Sequence, residues 1–324
     1  MIRRIAPAAG LFFLAPLVAE FLLGNLPITF LFAVVALAPM YGGGALLIRE
    51  LVRRRGLGWP NILILAVGYG VLEEGLTTQS LFNPNYADQH LLQDGFIPAL
   101  GISVPWTLFV VGIHVFWSVC TPIMMMEVIS GERRTTPWLG RTGLIVTAVL
   151  FAIGIAVTTA INMSMWPYTA TAGQFTVTGV ILALLIAAGL LLRVTFRPRT
   201  GAAPRAWIVL VATLVAGGLF MGLTLLGLPT WVGVAAFVVD VAAYLALMAR
   251  WSAREGWSDA HRLAIGAGAL LTYAWHSFVE SPVGTAAVVV DLIGNAVFTA
   301  GAVVLIWYAH RRVVSRKLSG IASS

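Results

Sequence analysis

Stretches of about 20 residues without charge alternate with short clusters of arginine and lysine along the chain, a length that crosses a hydrocarbon core of about 30 Å as a helix. Charged residues make up 10% of the 324 residues and hydrophobic residues 59%, against about 25% and 45–50% in soluble proteins. This pattern excludes a soluble, a disordered and a disulfide-stapled chain. It also excludes an outer-membrane barrel, whose strands alternate in polarity. We predict an all-α, polytopic transmembrane helical bundle.

The basic residues predict how the chain is threaded through the membrane. All 20 Lys and Arg lie at a chain end or between two apolar runs, and such residues stay on the cytoplasmic side during insertion. The net charge of +7 therefore reflects a lipid bilayer as the environment, and we expect no nucleic-acid partner.

Ten spans fit between the basic clusters, within a single integral membrane domain at 1–324. Their approximate limits are 5–24, 28–48, 60–82, 104–129, 140–163, 174–196, 206–226, 230–250, 261–280 and 285–309. Every second connection then carries all the basic residues. This predicts a cytoplasmic N-terminus, a cytoplasmic C-terminus and a multi-pass protein of the cell (inner or plasma) membrane.

Ionisable residues inside the spans are candidate functional residues, because a charge at mid-bilayer costs about 2.5–3.5 kcal/mol on insertion scales. Glu73 and Glu74 lie in the outer half of the third span, and His114 lies at a similar distance into the fourth. At about 1.5 Å per residue, the three side chains are predicted to share one depth, roughly 12–14 Å below the outer surface.

The last two spans bring further polar residues to that depth. His276 and Asp291 flank a predicted outer turn at 281–284, so they are expected to face each other across an antiparallel hairpin. Glu280 lies one helical turn above His276, and Asn295 lies one turn below Asp291. Asp291, Asn295 and Glu280 are therefore candidates for orienting a histidine ligand through hydrogen bonds.

Carboxylates and imidazoles at one level predict a site for a divalent metal such as zinc. The expected ligands are Glu74, His114 and His276, with Glu73 completing the catalytic set as acceptor of a proton from the attacking water. The same residues also fit a structural role. In that role, Glu73, Glu74 and His114 only form hydrogen bonds with neighbouring helices. The pair of His276 and Asp291 then only holds the last hairpin together.

The adjacent Glu73 and Glu74 on one span, the histidine on the next and a histidine near the C-terminus resemble the CAAX-processing and bacteriocin-processing (Abi) superfamily of intramembrane proteases. That family carries an EExxxR motif, an FxxxH motif and a third motif that begins with histidine. The resemblance implies that the two glutamates are catalytic carboxylates, with His114 and His276 as partners or metal ligands. Thr78 occupies the arginine position of the first motif.

Two other functions remain open. A proton- or cation-coupled transporter for a small molecule would use Glu73, Glu74, Asp240 and Asp291 to bind its coupling ion. Asp240 lies near mid-membrane without a predicted partner. In a non-catalytic membrane scaffold, the same residues would contribute only stability. The substrate and the oligomeric state are open as well.

Several other residues carry weaker expectations. Glu20 is expected to extend from the first span to the membrane interface, and Glu127 is expected to pair with Arg133 or Arg134. The long outer loop 83–103 either caps a cavity or lies on the headgroups. Glycines predict close helix packing at 42–44 and in the pair at 218 and 222.

Overall fold

The computed structural model describes residues 2–282 and 287–322, and it is built almost entirely of helices. In chain order these are α1 (Ile2–Pro16), α2 (Val34–Arg54), α3 (Trp59–Leu72), α4 (Val104–Ile113), α5 (Thr121–Ser130), α6 (Arg141–Met165), α7 (Ala172–Leu191), α8 (Ala206–Gly222), α9 (Thr230–Ser252), α10 (Asp259–His276) and α11 (Val288–Ala322). The all-α prediction is confirmed.

Short strands lie only in the connections of the described chain. Antiparallel β1 (Phe96–Ile97) and β2 (Ile102–Ser103) belong to the loop before α4, whereas β3 (Arg199–Ala202) and β4 (Arg254–Glu255) form a parallel pair. Short 3₁₀ turns complete the secondary structure: Ile28–Ala33, Tyr86–Asp88, Gly131–Thr135 and Leu223–Leu225.

Three helical segments of the described chain are π-helical. Leu17–Leu22 extends α1, Glu73–Thr77 extends α3, and His114–Cys120 joins α4 to α5. A π segment accommodates one extra residue in a helix, and such segments occur frequently at functional sites. All three contain acidic or histidine residues, so each is a candidate position for a functional site.

Eight helices of the described chain are long and apolar enough to cross a membrane, and they coincide with eight of the ten predicted spans. The two other predicted spans, 60–82 and 261–280, are also helical, as α3 with its π extension and as α10. Charged residues make these two helices less apolar. The protein is thus a multi-pass membrane protein.

The helices differ in how much of their surface other helices cover. The continuous segment Val104–Thr135, which contains α4 and α5, is the most enclosed candidate span, with 61% of its apolar window buried. By contrast, 11% of the apolar window is buried in α6 and in α7, and none of it is buried in α9. Because the outer helices present apolar side chains to lipid, the polar side chains concentrate around the central segment.

Glycines allow close approach of several helix pairs. A Cβ at Gly42 in α2 would overlap the backbone of α1, as the glycine cluster predicts. In α8 the prediction of a packing pair at Gly218 and Gly222 is wrong, because no atom lies within 4 Å of a Cβ placed at either position. Instead the neighbouring Gly217 packs against Thr272 of α10. One residue turns a helix by about 100°, so the packing face lies one position earlier.

A buried ion network lies at the arginine-rich end of α2. The Glu127 carboxylate accepts hydrogen bonds from Arg53 at 2.7 Å and from Arg49 at 3.2 Å, and Arg49 also donates to Glu50 at 2.6 Å. The Arg49 guanidinium stacks on the Trp138 ring, 3.4 Å from its centroid. The expected pairing of Glu127 with a later arginine is therefore corrected, since the arginines of α2 lie closer in space although they are distant in sequence.

Candidate functional site

Glu73, Glu74 and His114 meet in the interior of the bundle. The two glutamates begin the π segment after α3, and His114 begins the π segment after α4. The three residues are buried, with only 3%, 4% and 5% of their surfaces exposed. His114 Nε2 lies 2.7 Å from Glu74 Oε1, and its Nδ1 lies 3.1 Å from Glu73 Oε2. One imidazole therefore bridges two carboxylates.

The geometry of these three residues fits a metal ion. Each offers one ligand atom, and the three atoms lie within 4.8 Å of one another. Zinc binds imidazole nitrogens and carboxylate oxygens at about 2.0–2.2 Å, so two ligand atoms of one ion lie at most about 4 Å apart. Glu73 Oε2 is buried and accepts no aligned hydrogen bond, although His114 Nδ1 lies 3.1 Å away. The group is therefore a candidate for holding one ion.

Hydroxyl groups support the second carboxylate. The Thr78 hydroxyl donates to Glu74 Oε2 at 3.0 Å, and the Ser80 hydroxyl donates to the same oxygen. Ser80 in turn accepts a hydrogen bond from the indole of Trp106 at 3.3 Å. These donors are neutral, so they orient Glu74 without cancelling its charge. The other oxygen, Oε1, faces His114 Nε2 at 2.7 Å.

Two tyrosines form an aromatic wall around the imidazole. The rings of Tyr41 and Tyr69 both lie 6.1 Å from the His114 ring, and the Ser118 hydroxyl lies 3.2 Å from its Nδ1. This wall limits the motion of the imidazole and excludes water from its faces. None of these three residues stands out in the sequence, because tyrosines and serines are common in apolar spans.

Glu20 also belongs to this neighbourhood, which corrects the expectation that it extends to the membrane interface. It lies in the π segment after α1, and its carboxylate accepts hydrogen bonds from Tyr41 and from Asn25, both at 2.5 Å. The side chain is held inward because the hydroxyl of Tyr41, a buried residue of α2, donates to it.

The polar residues of the last two spans form a separate set. His276 Nε2 lies 3.0 Å from Glu280, whereas Asp291 accepts from Asn295 at 3.2 Å and Asn295 donates to the Ser277 carbonyl at 2.8 Å. Part of the predicted outer turn, residues 283–286, lies outside the described residues.

The predicted ligand set therefore needs a correction. Within residues 2–282 and 287–322, the group that could hold a metal contains Glu73, Glu74 and His114, so Glu73 stands where His276 was expected. Residue counting gives the depth of a side chain along the membrane normal. It does not give the position of that side chain in the membrane plane. In the structure the His276 side chain contacts Glu280, four residues later in the same segment.

The outer loop 83–103 approaches the site. The Tyr86 ring packs on Trp166 with 5.3 Å between centroids. Burial, followed by the negative charges of Glu74 and Glu20, raises the pKa of Tyr86 well above its ordinary value. Both ends of the loop lie next to the site, because Ser80 just before it donates to Glu74 and Trp106 just after it donates to Ser80. This position agrees with the capping alternative for the loop.

The backbone between the site and this loop is locally strained. In the described chain, every non-glycine residue with positive φ lies between positions 79 and 90: Gln79, Ala87, Asp88 and His90. Gln79 is buried, and its side-chain oxygen accepts the Ala170 backbone N–H at 2.7 Å. Such backbone conformations persist only when the surroundings hold them, and they cluster at functional sites.

Asp240 lines a different cavity, between α9 and the helices α5, α8 and α10. The lining is mostly apolar and includes Phe116, Phe220 and Tyr244. Within the described residues, Asp240 forms no hydrogen bond and no ion pair. It is thus a separate half-buried acid in an apolar groove and not a member of the central group.

Comparisons with known proteins identify a family but no activity. No curated protein and no solved structure matches the chain. None of the comparisons connects it with the CAAX-processing and bacteriocin-processing superfamily. A family model matches residues 11–318, nearly the whole chain, and the protein therefore belongs to an uncharacterized membrane protein family.

Proposed function

We propose that Glu73, Glu74 and His114 hold a divalent metal such as zinc, and that the protein is an intramembrane metal-dependent hydrolase. The observation that carries this proposal is the buried group itself, with three ligand atoms within 4.8 Å on two π segments. Two carboxylates around one imidazole leave an excess of negative charge, which a divalent cation would neutralise.

Each residue has a role in such a site. His114 and Glu74 are ligands, with Glu74 held in position by the hydroxyls of Thr78 and Ser80. Glu73 would complete the group that holds the metal, and its carboxylate would accept a proton from the attacking water. When bound, the metal would supply Lewis acidity, lowering the pKa of a bound water towards about 7.

The site's surroundings indicate the substrate class. The group is buried in a bundle whose outer helices face lipid, so a substrate reaches it most directly from within the membrane. The resemblance to intramembrane proteases points to a membrane-embedded peptide, and a lipid-linked substrate has the same access. We place the protein in the cell membrane, with the site in the outer half of the bilayer.

Metal analysis of the purified protein tests this function. We expect about one zinc per chain in the wild type, and loss of the metal in Glu73→Gln, Glu74→Gln and His114→Ala. Hydrolysis of membrane-embedded peptide or lipid-linked substrates should fall by more than the roughly 10–100-fold that loss of an outer hydrogen-bond partner costs. Asp240→Asn, which changes an intramembrane acid outside the group, is the matched control and should keep both properties.

Two results would contradict the hydrolase proposal. One is a wild-type protein that is purified without chelators, is supplied with zinc and still binds no stoichiometric metal. The other is metal binding and hydrolysis that persist in His114→Ala, since this change removes the only nitrogen ligand of the group.

A proton-coupled transporter is the second candidate, favoured by Asp240. Among the described residues Asp240 has no polar partner, and an acid of this kind in an apolar intramembrane groove is what a proton-binding step requires. Uptake of a small molecule into proteoliposomes would then depend on the pH gradient and fail in Asp240→Asn. The hydrolase proposal expects no effect from the same change, so one variant separates the two functions.

A further inference from the structure

The cavity that Asp240 lines, called here the Asp240 cavity, has no part in the proposed metal site. Its walls come from α5, α8, α9 and α10, and the π segment before α5 contributes Phe116, Trp117 and Cys120. The partners of His114 belong instead to α2 and to α3 with its π extension. The same π segment therefore directs His114 to the metal group and other side chains to the cavity.

The cavity is closed toward both membrane surfaces and open from the side. Toward the cytoplasm, Met248 of α9 packs with Val209 and Ala264. Toward the outer surface, the rings of Phe220 and Phe237 are in contact, with 4.6 Å between their centroids. α9 packs mainly against α8 and α4 rather than against α10, and none of its apolar window is buried. A ligand would therefore enter from the lipid, between α9 and α10.

Asp240 is an unpaired acid in these apolar surroundings. It lies near the middle of α9 and is half-buried. No group in the described part of the chain forms a hydrogen bond or an ion pair with it. A carboxylate in such a place is costly unless a positive charge compensates it. A ligand that brings a positive charge would remove this cost.

The hydroxyls beside Asp240 offer a further acceptor. Thr213 donates its proton to the Val209 carbonyl at 2.8 Å, so the Tyr244 hydroxyl, 3.0 Å away, is the donor to Thr213. The Tyr244 oxygen then keeps a lone pair for an incoming N–H group. Asp240 and Tyr244 are four residues apart, which places them on one face of α9. A cation with N–H donors matches this pair of acceptors, whereas an anion does not.

Aromatic rings form much of the remaining lining. They belong to Phe116, Trp117, Phe220 and Tyr244, and the rings of Trp117 and Phe220 meet edge to face at 5.1 Å. Ammonium groups are attracted to aromatic faces, more strongly away from water. The cavity has a volume of about 80 Å³. Since one water needs roughly 10–15 Å³ of such space, a ligand group of several heavy atoms fits.

We propose that the Asp240 cavity binds a lipophilic organic ammonium ion that enters from the membrane. The charged nitrogen pairs with the Asp240 carboxylate and donates a hydrogen bond to the Tyr244 oxygen. The apolar part of the ligand contacts the rings of Phe116, Trp117 and Phe220. This binding site goes beyond the proposed function, because it requires neither the metal nor hydrolysis.

Equilibrium binding of radiolabelled benzylammonium to the full-length protein in nanodiscs tests the site. We expect saturable binding above the uptake by protein-free nanodiscs. Asp240→Asn should weaken binding about tenfold or more, because a hydrogen bond to a charged group is lost. Tyr244→Phe removes a neutral acceptor and should weaken it about two- to tenfold. Asp291→Asn, a change in an acid of α11 that does not line the cavity, should bind like the wild type.

Benzyl alcohol is the matched neutral ligand, since it has the same ring and nearly the same size. The wild type should prefer benzylammonium about tenfold or more, and Asp240→Asn should lose this preference. Three results would overturn the proposal: no saturable benzylammonium binding, equal binding of the two ligands to the wild type, or unchanged affinity in Asp240→Asn. Gel filtration and circular dichroism establish that each variant is folded.

Cys120 reports whether the ligand occupies this cavity. It is the only cysteine of the chain and lines the cavity, so its modification by the small apolar reagent methyl methanethiosulfonate can be followed by intact-mass spectrometry. Saturating benzylammonium should slow this modification several-fold in the wild type, and the same concentration should have little effect in Asp240→Asn. A rate in the wild type that benzylammonium leaves unchanged would place the binding elsewhere and contradict the assignment.

Discussion

Single side chains distinguish the two buried charge clusters of this chain. Around Glu127 positive and negative groups alternate, because Arg49 and Arg53 both bind its carboxylate and Arg49 also binds Glu50. Around His114, by contrast, two carboxylates share one imidazole. Buried charge is tolerated when it is paired, and an unneutralised excess favours uptake of a cation or protons. The first cluster therefore suits a structural role, and the second suits binding.

Glu127→Gln is expected to be among the most destabilising single substitutions in the chain. It leaves the guanidinium groups of Arg49 and Arg53 buried without the carboxylate that both contact, which costs about 3–5 kcal/mol. Reversible unfolding in detergent measures this cost. Glu132→Gln makes the same chemical change at an exposed position five residues later and should stay within about 0.5 kcal/mol of the wild type. Equal stability of the two variants would contradict the structural role of the network.

The sequence predicts well where each helix begins and ends along the chain. It predicts poorly which face of a helix packs against its neighbours. Span limits follow from apolar length and basic clusters, and eight of the ten agree with membrane-crossing helices. The π segments have no sequence signal, because they arise where packing between helices displaces one residue. The packing face of α8 could not be predicted for a similar reason. Gly217, Gly218 and Gly222 are the same residue type, and only the contact with the neighbouring helix shows that Gly217 lies on the packed face.

Replacing each of two glycines by alanine distinguishes the effect of helix packing on stability from the effect of helix propensity. In Gly42→Ala the new methyl group overlaps the backbone of α1, so we expect a loss of about 1–3 kcal/mol from overpacking. Gly218→Ala meets no neighbouring atom within 4 Å and removes a flexible residue from a helix. It should be neutral or stabilise by up to about 1 kcal/mol. Unfolding of both variants under the same conditions gives the comparison, and a harmless Gly42→Ala contradicts the close α1–α2 contact.

In the molecule as a whole, the buried polar side chains lie mainly on enclosed helices, and the peripheral helices expose mainly apolar side chains. Depth counting along the sequence correctly pairs Glu73 and Glu74 with His114, because these residues lie on consecutive spans that pack together. It also groups them with His276, which the structure places in a separate set with Glu280. Two spans adjacent in sequence usually contact each other, whereas distant spans at one depth need not. The candidate site was therefore predicted in part.

Cysteine labelling tests the predicted orientation of the whole chain. The native Cys120 is buried and gives little background. Asp88→Cys in the exposed outer loop should react with a membrane-impermeant maleimide on intact cells, whereas the exposed Thr200→Cys should react only after permeabilisation. This pattern follows from basic connections remaining in the cytoplasm. The opposite labelling pattern would invert the topology and move the proposed site to the inner half of the bilayer.

The π-helical segments have a consequence for how such a centre is gained or lost among related chains. Removing one residue from 114–120, the π segment that joins α4 to α5, would restore ordinary α-helical winding and leave a hydrophobic crossing of nearly unchanged length. The flanking halves of that helix, however, rotate by about 100° relative to each other. A relative with a single-residue gap in this window would insert normally, but its central polar group would be taken apart. The length of an alignment at these positions therefore indicates whether the group is present.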